Sequence, residues 1–492
     1  MKTDHLGAFL LCDGILASLA FIPGDIPLND GEVKDWIRSR GYGDLWGTFG
    51  EDIAVDACAD GKVAVLKWLQ KQTPVKFAKS LQTPSLVLRS ALGGHTSVLR
   101  WLVEQGVAVL AVKAPPSICA VLLCARQGHL NALKYLGTLE ANAVHVKMND
   151  GSTVAHLAAL KGHLPIIEWI ATRGFDLKNQ KTNDGRTTAH CAAKEGRYDV
   201  LKWLGDRGLV DVAAKTKDDR TIAHYAAYGG NLSAVEWCKG QGIDLKAKMN
   251  EGLTTAHYAA MKGHLAVLQW LHTEGGVNVN AKDDNQWTSA LWAIEDGYLD
   301  VLKWLVTLAG ADLSTKDKNG MNVYHFAVTK GHMPILDWMD GLSNSSSIVI
   351  NSKSTASTSS PHNPPPPPSS SIPSKSVPYH NRTVDWSATD PKSGWTYAHF
   401  AAHGGHREVL EWLDKRARID YNAKDSSGWT VAHIAANEGF LDVLQWLGEK
   451  GVDLKATAED GRTPAKLAAE RGHSAVSQWM EEHVPQCYSP GQ

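Results

Sequence analysis

One aromatic side chain recurs along the chain at a fixed step. Trp68, Trp101, Tyr135, Trp169, Trp203, Trp237, Trp270, Trp304 and Trp338 stand 33 or 34 residues apart, and Trp412, Trp446 and Trp479 continue the series. A period of this length describes a supersecondary unit too small to bury its own apolar face, so the units have to stack on one another instead of closing around one core. The 74-residue step from Trp338 to Trp412 equals one period plus about 40 residues of inserted material. Twelve units are therefore expected. A chain of 492 residues is in any case too long for one ordinary globular core.

Within a period, residues 250–275 show how a unit is built. Thr254 suits a helix N-cap, Ala256, Ala259 and Ala260 make a slim helix that neighbours can approach closely, and Gly263 supplies a positive φ at its end. Leu265, Val267, Leu268, Trp270 and Leu271 then form a second helix too apolar for a single stripe, which implies packing on two sides. Gly275 closes it, and the polar run from Val277 to Asn285 reads as a connecting hairpin or loop. The expected fold class is all-α.

The runs Gly185-Arg-Thr-Thr-Ala-His190, Gly252-Leu-Thr-Thr-Ala-His257, Gly394-Trp-Thr-Tyr-Ala-His399 and Gly428-Trp-Thr-Val-Ala-His433 resemble the signature of the ankyrin-repeat family, over residues 50 to 484. The resemblance implies a helix-turn-helix solenoid with a hairpin loop per repeat. The first three units depart from it, with Val55, Leu88 and Leu122 in place of the histidine, and Leu291 and Tyr324-His325 blur it later. The organisation expected is a cap at 1–48, nine repeats at 49–342, an insertion at 343–388, three repeats at 389–484 and a tail at 485–492. Ser474, Ser477, Gln478, Glu481 and Glu482 replace apolar residues on the final helix, as a polar C-terminal cap requires.

Two segments fall outside the period. Residues 343–388 are rich in Ser, Thr and Pro and bury too little apolar surface to repay ordering, so disorder is expected there. Pro364–Pro368 within it suits an SH3, WW or profilin-like partner, with a solubilising spacer as the plainer reading. Leu11–Pro23 resembles the first helix of an F-box but lacks its first proline. That resemblance implies an alternative function, a substrate-recruiting adaptor of a ubiquitin ligase.

Candidates for chemistry are absorbed by the repeat. Fourteen of the 21 histidines fall at two positions of the period, one on the first helix (such as His257) and one after the glycine (such as His264). The family resemblance implies structural roles for both. No metalloprotease, phosphate-loop or kinase signature occurs, so no enzyme, cofactor or metal is expected. With 50 basic and 52 acidic side chains no overall field favours nucleic acid, and Asp13 interrupts the best membrane-like stretch, Leu6–Ile22. Seven scattered cysteines without paired spacing point to a reducing, cytoplasmic setting.

The resemblance further implies that partners are bound through the variable residue of G-x-T and the hairpin tips. That position reads Arg186, Arg220, Leu253, Trp287, Met321, Trp395, Trp429 and Arg462 in successive units. Five consecutive apolar residues on a face that should be wet amount to a patch. The function expected is a non-enzymatic scaffold or adaptor, a monomer that binds a protein or peptide on its concave face. Leu253, Trp287, Met321, Trp395 and Trp429 would form a stripe about 40 Å long, rimmed by Arg186 and Arg220. Trp287 and Trp395 would then be replaceable without loss of stability.

Overall fold

A computed structural model of the chain describes residues 28–43, 50–72, 74, 81, 83–114, 118–140, 142–343, 385–386, 388–390 and 392–484. Among them are 25 α-helices, two short 3-10 turns and one two-residue antiparallel ribbon, Lys113–Ala114 with Ile118–Cys119. The chain divides into two compact units, Met1–Lys217 and Asp218–Gln492. The F-box-like stretch and Pro364–Pro368 lie outside the described residues.

In the first unit, helix Asp30–Ser39 is capped by Asn29, whose side chain accepts from the Glu32 amide while Glu32 accepts from the Asn29 amide. It packs on Val63–Gln72, the outer member of the first of five helix pairs. The inner helices are Gly50–Ala59, Pro84–Leu92, Ala120–Gln127, Val154–Lys161 and Thr188–Lys194; the outer ones are Val63–Gln72, Thr96–Glu104, Leu130–Leu139, Leu164–Thr172 and Tyr198–Asp206. The second unit holds seven pairs. Its inner helices are Ile222–Tyr228, Thr255–Met261, Ser289–Glu295, Val323–Thr329, Tyr397–Gly404, Val431–Glu438 and Pro464–Arg471, each followed by an outer helix from Leu232–Gly240 to Ser474–His483. Each aromatic anchor lies on an outer helix and is buried or half-buried, Trp68, Trp101, Trp412 and Trp446 to 4% exposure.

Two histidine contacts recur among the repeats and support the stacking, though Arg197, Asn231, Tyr298 and Phe440 replace the second histidine in four of those from Val154 onward. At the first position, the Thr254 amide donates to His257 Nδ1 at 3.0 Å, which leaves the proton on Nε2 to be donated to Ala281 O, also at 3.0 Å. The ring thus staples its own helix start to the following hairpin, and His156, His399 and His433 repeat the arrangement onto Arg186, Trp429 and Arg462 carbonyls. At the second position the bond runs backwards: His129 Nε2 meets Leu92 O at 2.8 Å and His264 Nε2 meets Tyr228 O at 3.0 Å. That ring lies over the glycine of the preceding unit. Gly94 has φ 71°, and a Cβ there would stand 2.4 Å from the His129 ring, so glycine is required twice over.

The same backward contact crosses the inserted segment. His406 Nε2 meets Thr329 O at 3.0 Å, and Tyr397–Gly404 packs on Val323–Thr329 as any two successive inner helices do. Trp412 Nε1 donates to Asp337 at 2.7 Å, and Arg416 pairs with Asp340 at 2.9 Å. The second unit is therefore one continuous stack across 344–384. A correction concerns where the described chain resumes. Trp386, expected within the inserted material, is 6% exposed and wedged among Tyr324, Tyr397 and Trp412 at 5.7, 5.2 and 4.9 Å between ring centroids.

Candidate protein-binding face

In three hairpins of the second unit the residue before the helix N-cap is set by a carboxylate, whereas the Trp395 amide bonds to the Ser393 hydroxyl at 3.2 Å. Asp283, 3% exposed, accepts the amides of Asn285 and Trp287 at 2.8 Å on one oxygen and the Trp292 indole at 3.2 Å on the other. Asp317 accepts from Asn319 and Met321, and Asp425 from Ser427 and Trp429, all at 2.8 Å. These turns hold the side chains of Trp287, Met321 and Trp429 at one register of the hairpin while the carboxylates satisfy amides that would otherwise be orphaned.

Trp287 and Met321 share an open cleft of about 400 Å³ with Asn285, Trp292, Asn319 and Phe326. Trp287 lies on the inner-helix rings of its own repeat and the next, 4.7 Å from both Trp292 and Phe326. Both Trp287 and Met321 are half-buried. The other expected members do not join this cleft. Trp395 packs on Phe400 at 5.0 Å and donates through Nε1 to Asp425 at 3.0 Å, and half-buried Trp429 stacks near His433 with Arg462 over its ring at 5.5 Å.

Leu253 has to be corrected. It is 5% exposed and adds almost nothing to an accessible stripe. The expectation that Trp287 and Trp395 could be removed without loss of stability is corrected as well, because each bridges two repeats through rings or a hydrogen bond. Arg186 belongs to the first unit, where it pairs with Asp184 at 2.7 Å and lies 3.8 Å from Asp150. Arg220 pairs with Asp218 at 2.8 Å and covers the Tyr258 ring at 5.5 Å.

What sequence reasoning missed is the floor beneath this face. Tyr225, Tyr258, Trp292, Phe326 and Phe400 occupy one register, the residue after the inner-helix histidine position. Tyr225, Tyr258, Phe326 and Phe400 are at most 9% exposed. The signal was present as five aromatics in five successive units, at a position that the smaller Leu157 and Cys191 occupy earlier.

The titratable groups here are occupied with packing. Burial pushes His156, His224 and His325 down to about 4 and lowers His257, His399 and His433, which keeps the staples neutral. Among the described residues no cluster of three His, Cys, Asp or Glu side chains is arranged to hold a metal ion, and no helix is long and apolar enough to cross a membrane.

Family models for ankyrin repeats match residues 121–216, 378–458 and 398–487 in three copies, and 223–272, 256–306 and 290–339 in a many-copy form. Together they cover about two thirds of the chain. This is an ankyrin-repeat protein. No curated protein matches it. The family matches begin at residue 121, yet stacked helix pairs already run from Gly50. The ankyrin signature is carried largely by the first histidine, which Val55, Leu88 and Leu122 replace in the first three pairs, whereas the stack is carried by the backward contact and the apolar helices. Ankyrin repeats are protein–protein interaction modules, typically without enzymatic activity, and the partners they suggest are proteins.

Proposed function

We propose that this ankyrin-repeat protein is a non-enzymatic adaptor or scaffold that holds an extended segment of a partner protein against the hairpin face of its second unit, with the cleft between Trp287 and Met321 as the anchor point. The observation that carries this reading is the cleft itself: a partly exposed indole and a thioether above an aromatic floor, rimmed by Asn285, Lys318 and Asn319. Trp and Met are enriched where interfaces are anchored, and a polar rim that excludes water around an apolar pocket is the usual surrounding of a hot spot. Trp395 and Trp429, further along the same series of hairpins, extend the binding face, and Arg220 forms part of its rim. The five buried free thiols, Cys58, Cys119, Cys124, Cys191 and Cys238, support a reducing, cytoplasmic setting.

Selection of peptides from a random display library on the full-length chain tests this. The selected peptides should share an apolar or aromatic anchor and should lose at least about tenfold in affinity on Met321→Arg, a loss of at least about 1.4 kcal/mol. The Met321 amide and carbonyl bond to Asp317 whatever the side chain, so this variant changes the cleft and spares the turn. Peptides that bind the variant as tightly as the parent chain would refute the assignment.

A further inference from the structure

The near-balance of charge over the whole chain conceals a local excess. Between residues 61 and 139 there are ten lysine and arginine residues and one acid, Glu104, in a chain that carries 50 basic and 52 acidic side chains. Three of the ten occupy equivalent places. Lys67, Arg100 and Lys134 each immediately precede the aromatic anchor of their repeat, on outer helices Val63–Gln72, Thr96–Glu104 and Leu130–Leu139, and all three are exposed. Successive helices of this set pack on one another, and Gln70 donates to Gln105 across the first joint at 2.7 Å. Arg100 reaches toward the next repeat, 5.5 Å from the Tyr135 ring centroid. None of the three forms an ion pair with a described carboxylate.

From this we infer that the outer helices of the first three repeats form a second docking surface, for an acidic extended peptide segment of a partner protein. Neighbouring helices lie roughly 8 to 10 Å apart, so the three cations span about 20 Å, which an extended chain covers with about seven residues. The strip ends on one side at Glu168, which takes the equivalent place in the fourth repeat. A nucleic acid fits less well. Trp68 and Trp101 are 4% exposed and Arg100 lies over Tyr135, so none of these three anchor rings is open to stack a base, and a track that stops at Glu168 does not follow a long phosphate backbone. This surface is independent of the cleft in the second unit and does not rest on the function proposed for it.

The test uses the full-length chain at low ionic strength, with a fluorescein-labelled octapeptide of Glu-Glu-Ser repeats as probe and an oligothymidylate of equal charge as its comparison. Binding of the peptide should weaken at least roughly tenfold in the triple variant Lys67→Glu, Arg100→Glu, Lys134→Glu, weaken also with added salt, and be untouched by Met321→Arg. If the charge-reversed chain loses helicity, the triple glutamine variant replaces it and should lose about fivefold. Peptide binding within twofold of the parent in a folded variant would overturn the inference. So would an oligothymidylate that binds more tightly than the peptide and loses that binding in the same variant, which would make the strip a nucleic-acid surface.

Discussion

The first three helix pairs and several of those from Val154 onward share the backward histidine rung but differ in most of what they present. His95 and His129 bond to Ala59 O at 2.7 Å and Leu92 O at 2.8 Å, as His264 and His406 do later. Yet the first three inner helices carry Val55, Leu88 and Leu122 at the register of His257, and so have no histidine staple to a following hairpin. Most of the later pairs carry the Thr-x-x-His pair or its Asn322 variant, with Leu291 and Lys466 replacing the histidine in two; several have ordered carboxylate turns, and the second unit has an aromatic floor. Stacking and display are thus separate devices. The rung with its glycine holds repeats together, whereas the staple fixes the hairpin that exposes a chosen side chain. Where the staple is absent, exposed charge sits on the outer helices instead.

Acid should break this comparison most sharply. His156, His224 and His325 have folded-state values near 4 against 6.5 for the free side chain, because burial disfavours the charged ring. Above about pH 6.5 both folded and unfolded chains are neutral at these sites and full stability is present. As the pH falls toward 4 the unfolded chain takes up protons that the folded one refuses, and roughly 3 kcal/mol is lost per group. Amide exchange, corrected for its own pH dependence, should show residues 153–343 and 396–484 losing protection between pH 6.5 and 4.5 well before residues 50–139 do. Equal loss in both regions would mean that the staples do not carry the difference.

A smaller effect separates the rung from chain continuity. The joint between Val323–Thr329 and Tyr397–Gly404 has the regular rung plus Trp386, which no other joint possesses. Trp386→Ala should cost about 3 to 5 kcal/mol, as removal of a buried indole does, and denaturation should then release the last three pairs before the four that precede them. A single unchanged transition would show that the rung alone suffices there.

His257→Leu gives a second-unit repeat the residue that the first unit has at 88 and 122. It strands the Thr254 amide and the Ala281 carbonyl and should cost about 2 to 3 kcal/mol, with exchange rising at residues 277–290. The smallest change comes from Arg220→Ala, which removes a half-exposed pair with Asp218 and should shift stability by less than about 1 kcal/mol in thermal melts.

Most of the fold was legible from one register. The anchors Trp68 to Trp479, the capping threonines and both histidine positions follow from a period that leaves little freedom in which face each residue takes. The face was less legible, because a repeat register places a Cβ but not the reach of the side chain. At the same register Leu253 is 5% exposed, while Trp287 and Met321 are only partly buried and share a cleft. Trp386 was overlooked since it follows a Ser- and Pro-rich tract and has no counterpart one period away. The basic strip was overlooked for a different reason: an acidic excess elsewhere in the chain cancels it in the total.

On the function proposed above, the second unit's hairpins display a binding face anchored between Trp287 and Met321. The most direct measurement is an amide-exchange footprint of the full-length chain saturated with a peptide selected on it. New protection should centre on residues 283–292 and 317–326, fade toward Trp395 and leave the outer helices unchanged. Protection confined to the outer helices, or none at either hairpin, would contradict it.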